Sequence, residues 1–89
     1  MDIELIVTSE EGLHARPVTK LVNLATGFDS DILLSVCGKK VNLKSIMGVM
    51  SLGINYGQKI TLTFDGADST KAADTICTFL TQDCIAKLV

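Results

Sequence analysis

The 89-residue chain predicts an α+β fold: an open-faced two-layer sandwich, with a four-stranded antiparallel sheet and three helices on one face. Three observations lead there. Several short runs alternate apolar and polar residues, which marks strands with one buried and one wet face. Between these runs apolar residues recur at helical spacing, so each helix has a single stripe to bury. The runs follow one another as β-α-β-β-α-β-α, and the wet strand face leaves the helices to cover the other side.

Each element follows from its residues. In "DIELIVT", residues 2–8, Ile3, Leu5 and Val7 fall on one face of a strand. "SEEG" breaks that pattern. From Pro17 onward, Val18, Leu21, Val22 and Ala25 are spaced i, i+3, i+4, i+7, and Gly27 is the expected stop. "DILLSVCGKKVNL" reads as a hairpin, with Ile32, Leu34 and Val36 inward, a turn at Gly38-Lys39, and Val41 and Leu43 continuing the inward face. "SIMGVMSLG" is a short helix from Ser45 to Gly53, followed by a turn at "NYG". "QKITLTF" is the fourth strand, with Ile60, Leu62 and Phe64 inward and Thr61 and Thr63 outward. "DGADS" is a loop ending in helix-cap chemistry. The last helix carries Ala73, Ile76, Cys77, Leu80, Cys84 and Leu88 on one stripe.

Composition excludes several classes. Eight basic and ten acidic residues give a net charge of −2, so no basic footprint for nucleic acid exists. No apolar run approaches the roughly 20 residues that span a bilayer, so no membrane insertion is expected. The first residues lack the basic start and long apolar run of a signal peptide, and the chain reads as cytoplasmic. Three cysteines form no CxxC pair and read as small buried hydrophobes in a reducing compartment. Cys77 and Cys84, one helix face but about 10 Å apart, are too distant for a disulfide. One histidine leaves little for a structural metal site, and no cofactor is called for. Nothing demands more than a monomer.

The chemistry concentrates in "GLHARPVTKLV", residues 12–22, which holds the only histidine and the only proline. Proline is at home in a helix's first turn, so the helix starts near residues 15–17 and His14 lies at or just before it. The first N–H groups of a helix lack intrahelical acceptors and its dipole is positive there, which suits an anion. Arg16 adds a planar guanidinium able to hold phosphate oxygens. Imidazole ordinarily titrates near neutrality, so its neutral form is a usable nucleophile. These residues could cradle a phosphoryl group on the ring. From the residues alone they fit somewhat better a surface histidine that caps the helix beside a solvated arginine.

The segment "GLHARP" closely resembles the active-site signature of the HPr family, the histidine-containing phosphocarriers of the bacterial phosphoenolpyruvate:sugar phosphotransferase system. A second segment, "VNLKSIMGVMSLG" at 41–53, is similar to the regulatory-serine region of the Gram-positive members. The resemblance covers nearly the whole chain, including "GAD" at 66–68. It implies that His14 accepts a phosphoryl group on Nδ1 from enzyme I and passes it to IIA domains of sugar permeases. It implies that Arg16 positions the group and that the backbone at Ala15, Arg16 and Pro17 helps bind it. No metal or bound cofactor is implied, and the protein is a carrier without independent turnover. Some HPr-like paralogues replace the histidine and keep only the serine; this chain keeps both.

Ser45 reads first as an N-cap, worth about 1 kcal/mol. By resemblance it is also the target of the ATP-dependent HPr kinase/phosphorylase, through which a regulator of this type binds a catabolite-control transcription factor. A phosphate would add about −1.5 to −2 charge at a helix start, where it is tolerated. In the helix after it, Val49 and Leu52 are expected to face the core, which leaves Ile46, Met47 and Met50 as an exposed docking patch. Phe28 reads as a core plug. Lys20 is the only base in the first helix after Val18, so docking to acidic partners would lean on Arg16, Lys20, Lys44 and that patch.

Overall fold

A computed structural model describes all residues, 1–89. The chain runs β1 (Asp2–Val7), α1 (Ala15–Thr26), β2 (Asp31–Val36), β3 (Lys39–Asn42), α2 (Ile46–Met50), β4 (Lys59–Asp65), α3 (Ser69–Gln82) and β5 (Ala86–Leu88). The strands form one antiparallel sheet in the order β3-β2-β4-β1-β5. Three helices cover one face, so the open-faced sandwich holds, with five strands where the sequence predicts four. No helix is long and apolar enough to cross a membrane.

The core is the meeting of the two patterns. From the sheet come Leu5 and Val7, Ile32, Leu34 and Val36, and Ile60, Leu62 and Phe64, all buried. Register puts them side by side: Leu5 pairs with Ile60 and Leu34 with Leu62. From α1 come Val18, Leu21, Val22 and Ala25, the four residues whose spacing marks the helix. From α3 come Ala72, Ala73, Ile76 and Leu80. Burying each Leu, Ile, Val or Phe is worth about 1.5–3 kcal/mol, most of which offsets chain entropy. Phe28 is half-buried and packs on this core, as does Leu52, while Val49 of α2 is fully inside.

The missed strand has a local cause. The sequence extends the last helix to Leu88, but α3 ends at Gln82. Cys84 turns the chain at φ 56, the left-handed conformation that usually belongs to glycine in this position. The Ile85 amide then donates back to the Leu80 carbonyl at 2.9 Å, which closes a Schellman motif. Residues 86–88 leave as a strand along β1, with Val7 opposite Ala86. Without a glycine there, the sequence carries no stop signal. Cys84 and Leu88 therefore lie exposed, off the helical stripe.

Other details differ in smaller ways. Cys37 is also exposed, and Cys77 is half-buried, so the cysteines are not the buried hydrophobes their residue type suggests. Burial first, and Asp74 second, push the Cys77 thiol up from its ordinary pKa. The hairpin turns at Cys37-Gly38, one residue earlier than expected, with φ 50 and 80 as a two-residue type I′ turn requires. The short helix closes at Met50 instead of Gly53. Asp68 precedes α3 but does not cap it with its side chain. Its carboxylate instead accepts from the Ser30 hydroxyl, from the Asp29 amide at 2.9 Å and from the Ser30 amide at 2.9 Å, tying the α1–β2 loop to the start of α3.

Two outcomes follow from these ties. Cys84→Gly should raise stability by about 1 kcal/mol in a denaturant titration, because the left-handed turn loses its Cβ penalty while the Thr8 hydroxyl still reaches the residue-84 carbonyl. The Ser30 hydroxyl, then the Asp29 amide, hold the Asp68 carboxyl below its ordinary pKa. A lowered folded-state value contributes stability that is present above the unfolded aspartate's pKa of about 3.9 and is lost as pH falls through the folded value. Thermal midpoints measured down through pH 4 should therefore fall more steeply in the wild type than in Asp68→Asn.

Candidate functional site

The loop between β1 and α1 carries the candidate residue His14, and backbone bonds hold it on both sides. Toward the C-terminal end, the Thr8 and Ser9 amides both donate to the Ile85 carbonyl, at 2.8 and 3.2 Å. Toward the α2–β4 connection, the Leu13 amide donates to the Ile54 carbonyl at 3.1 Å, and both side chains are buried. Gly12, at φ +69, makes this possible: a Cβ there would sit 2.2 Å from the Ile54 oxygen. Two main chains touch because one residue has no side chain.

The next residue, His14, is the N-cap of α1, with extended backbone at φ −103. Its carbonyl accepts from the Val18 amide at 3.1 Å, the first bond of the helix. The Ala15 and Arg16 amides make no bond, so two donors at the positive end of a 12-residue helix stay free. Pro17 is third in the helix and has no N–H at all. The amide donors expected over residues 15–17 thus reduce to two, and Pro17 contributes the fixed backbone angle that starts the helix.

A cleft of about 340 Å³ opens over this helix start, lined by His14, Arg16, Pro17 and Lys20 together with Ser9, Glu11, Phe79, Asp83 and Ile85. Arg16 is exposed and makes no ion pair, so its guanidinium is free to hold an anion. The two ring nitrogens of His14 differ. Nε2 lies 3.5 Å from the Glu11 carboxylate, with the His14 side chain 39% and the Glu11 side chain 77% exposed. Nδ1 is enclosed and has no hydrogen-bond partner. The side chain does not cap the helix, which removes that alternative for His14.

Sequence reasoning missed Glu11, Asp83, Phe79 and Ile85 as neighbours of His14. Glu11 stands three residues before the histidine, close enough to have been suspected. The others arrive from α3 and the turn after it, and only tertiary packing brings them in.

Ser45 belongs to a second place. It is the N-cap of α2, and its Oγ accepts from the Gly48 amide at 3.0 Å, as its residue type predicts. It does not line the cleft; α2 packs against α1 instead. Met47 is 84% exposed, and Ile46 and Met50 are exposed beside it. Lys44 is half-buried, and its ammonium donates to the Phe28 carbonyl at 2.8 Å, just past the end of α1. That bond occupies a charge expected to be available to partners.

Comparison with known proteins agrees with this geometry. The family described as the PTS HPr component, phosphorylation site, matches residues 1–82. The histidine-containing phosphocarrier protein of a Mycoplasma superposes with a TM-score of 0.93 at 36% identity, covering 96% of this chain and 97% of that one. The phosphocarrier HPr of Bacillus anthracis gives 0.83 at 39% identity, covering 89% and 94%. Crh, a catabolite-repression protein of Bacillus subtilis described as a domain-swapped dimer, gives 0.73 at 40% identity, covering 86% and 88%.

Gly12→Ala should lower stability by about 2 kcal/mol or more, since it adds a strained left-handed alanine to a backbone clash. Denaturant unfolding gives the loss. The same variant should release the Leu13 amide, seen as faster hydrogen exchange.

Proposed function

The chain belongs to the HPr family of phosphocarriers, and from that premise we propose that His14 takes a phosphoryl group from phospho-enzyme I and delivers it to IIA domains of sugar permeases. A member of this family is a carrier and not a catalyst: the group rests covalently on the protein and leaves for the next acceptor. The observation that carries the proposal is the convergence at one helix start of an uncapped imidazole, a free guanidinium and two unbonded amides. A transferred phosphoryl group bears its charge on three oxygens, and donors already in place stabilise that charge without reorganising. Arg16 and the Ala15 and Arg16 amides supply them. The acceptor nitrogen is Nδ1, the ring nitrogen without a hydrogen-bond partner.

The docking surface of this proposal joins Arg16 and Lys20 on α1 to the apolar patch of Ile46, Met47 and Met50 on α2. Charge on α1 meets acidic partners, and flexible methionines adapt to more than one of them. Lys44, whose ammonium already donates to the Phe28 carbonyl, is a weaker contributor to this surface than Arg16 and Lys20. The chain works in the cytoplasm, where these partners of the family operate.

A second reading makes the protein chiefly a regulator: HPr kinase/phosphorylase modifies Ser45, and the phosphorylated form binds a catabolite-control transcription factor. The likeness to Crh supports it. In this reading the Ser45 hydroxyl gives up its cap to the Gly48 amide, and the phosphate takes over that helix start, where negative charge is favoured. The retained His14 favours the carrier as the main role.

Mixing the protein with enzyme I and phosphoenolpyruvate should add one acid-labile phosphate by intact mass, absent in His14→Ala. No added phosphate with an active enzyme I would sink the carrier reading. With the kinase and ATP, an acid-stable phosphate should form and disappear in Ser45→Ala.

A further inference from the structure

The two nitrogens of one imidazole cannot both be nucleophiles. In the neutral ring one carries the proton and the other the lone pair, and a partner's hydrogen bond decides which. Two features of this chain act on that choice. The Glu11 carboxylate stands 3.5 Å from Nε2 and can only accept, so it favours a proton there. At the other nitrogen, a helix-capping side chain normally accepts from the second or third amide of the helix. The third residue is Pro17, which has no amide proton, and the Arg16 amide makes no bond to the ring. The Nδ1 lone pair is accordingly unclaimed, and the structure shows it without a partner.

We propose that Glu11 and Pro17 are positioning residues that assign the nucleophilic lone pair of His14 to Nδ1, Glu11 by holding the Nε2 proton and Pro17 by withholding a competing donor. The inference rests on the reading that His14 carries the phosphoryl group. In the transfer, the Nδ1 lone pair forms a bond to phosphorus while the donor's P–N bond breaks and its electron pair leaves with the donor nitrogen. No proton moves. Nε2 keeps its own, and the ring becomes a phosphorylated imidazolium whose positive charge faces the Glu11 carboxylate. Glu11 is exposed, with no other ion-pair partner. The same donor-free third position leaves the Ala15 and Arg16 amides for the incoming phosphate oxygens.

The test combines side-chain ¹⁵N NMR of His14 with rates of phosphorylation by potassium phosphoramidate, a small P–N donor that needs no partner protein and leaves as ammonia. Glu11→Ala should shift the tautomer away from Nε2–H and slow phosphorylation about two- to fivefold at low salt, the scale of an exposed ion-pair contact. The difference should shrink in high salt. Glu11→Gln, whose amide oxygen still accepts, should restore the Nε2–H tautomer. Pro17→Ala supplies the missing donor, so the Nδ1 resonance should move as it gains a hydrogen bond, and the rate should fall about two- to tenfold. Amide spectra report whether each variant keeps its fold, and the exposed Glu11 site provides a readout independent of the helix. If Glu11→Ala, or a folded Pro17→Ala, leaves both the nitrogen shifts and the rate unchanged while His14 is still phosphorylated, the assignment is wrong and the carrier reading survives. If wild-type His14 accepts no phosphate from phosphoramidate or from enzyme I, both fall.

Discussion

The contact between the Gly12 main chain and the Ile54 carbonyl fixes where the loop before α1 can stand. It brings the β1–α1 loop against the α2–β4 connection, and the Leu13 amide bond to Ile54 locks it there. On the other side the Ile85 carbonyl holds Thr8 and Ser9. His14 is thus delivered to the first position outside α1 by a loop pinned at two points. The helix itself is pinned by Val18, Leu21, Val22 and Ala25 in the core. Sub-ångström placement of a reactive nitrogen needs such support, because misplacement of that order is costly in rate.

The site rests on what is absent as much as on what is present. A helix start normally spends its free amides on a capping side chain. Here the cap residue makes no such bond, one of the usual donors is missing because it is a proline, and two others stay unused. Nδ1 of His14 is left enclosed and unpartnered at that start. Ser45 shows the contrast within the same chain. Its hydroxyl accepts from the Gly48 amide and closes the cap of α2.

Much of this was legible in the sequence, for physical reasons. Period-two and period-3.6 patterns report burial directly, so the buried residues of α1 and the inward faces of β2 and β4 were read correctly. His14, Arg16 and Ser45 stood out because helix starts have recognisable chemistry. The fifth strand was hidden because Cys84 adopts a left-handed turn where the usual glycine signal is missing. The role of Asp68 was hidden because residue type suggests a local cap, whereas its partners Asp29 and Ser30 lie far back in the chain. Phe79, Asp83 and Ile85 reach the cleft through tertiary packing, which spacing does not encode.

The central claim is that one atom, Nδ1 of His14, carries the phosphoryl group. Phosphorus–nitrogen coupling in the ¹⁵N-labelled protein, recorded after reaction with phospho-enzyme I, tests it most directly. The account predicts a single phosphohistidine signal coupled to Nδ1 of His14, with Nε2 still protonated. Coupling to Nε2, or phosphate found only on another residue, would contradict it.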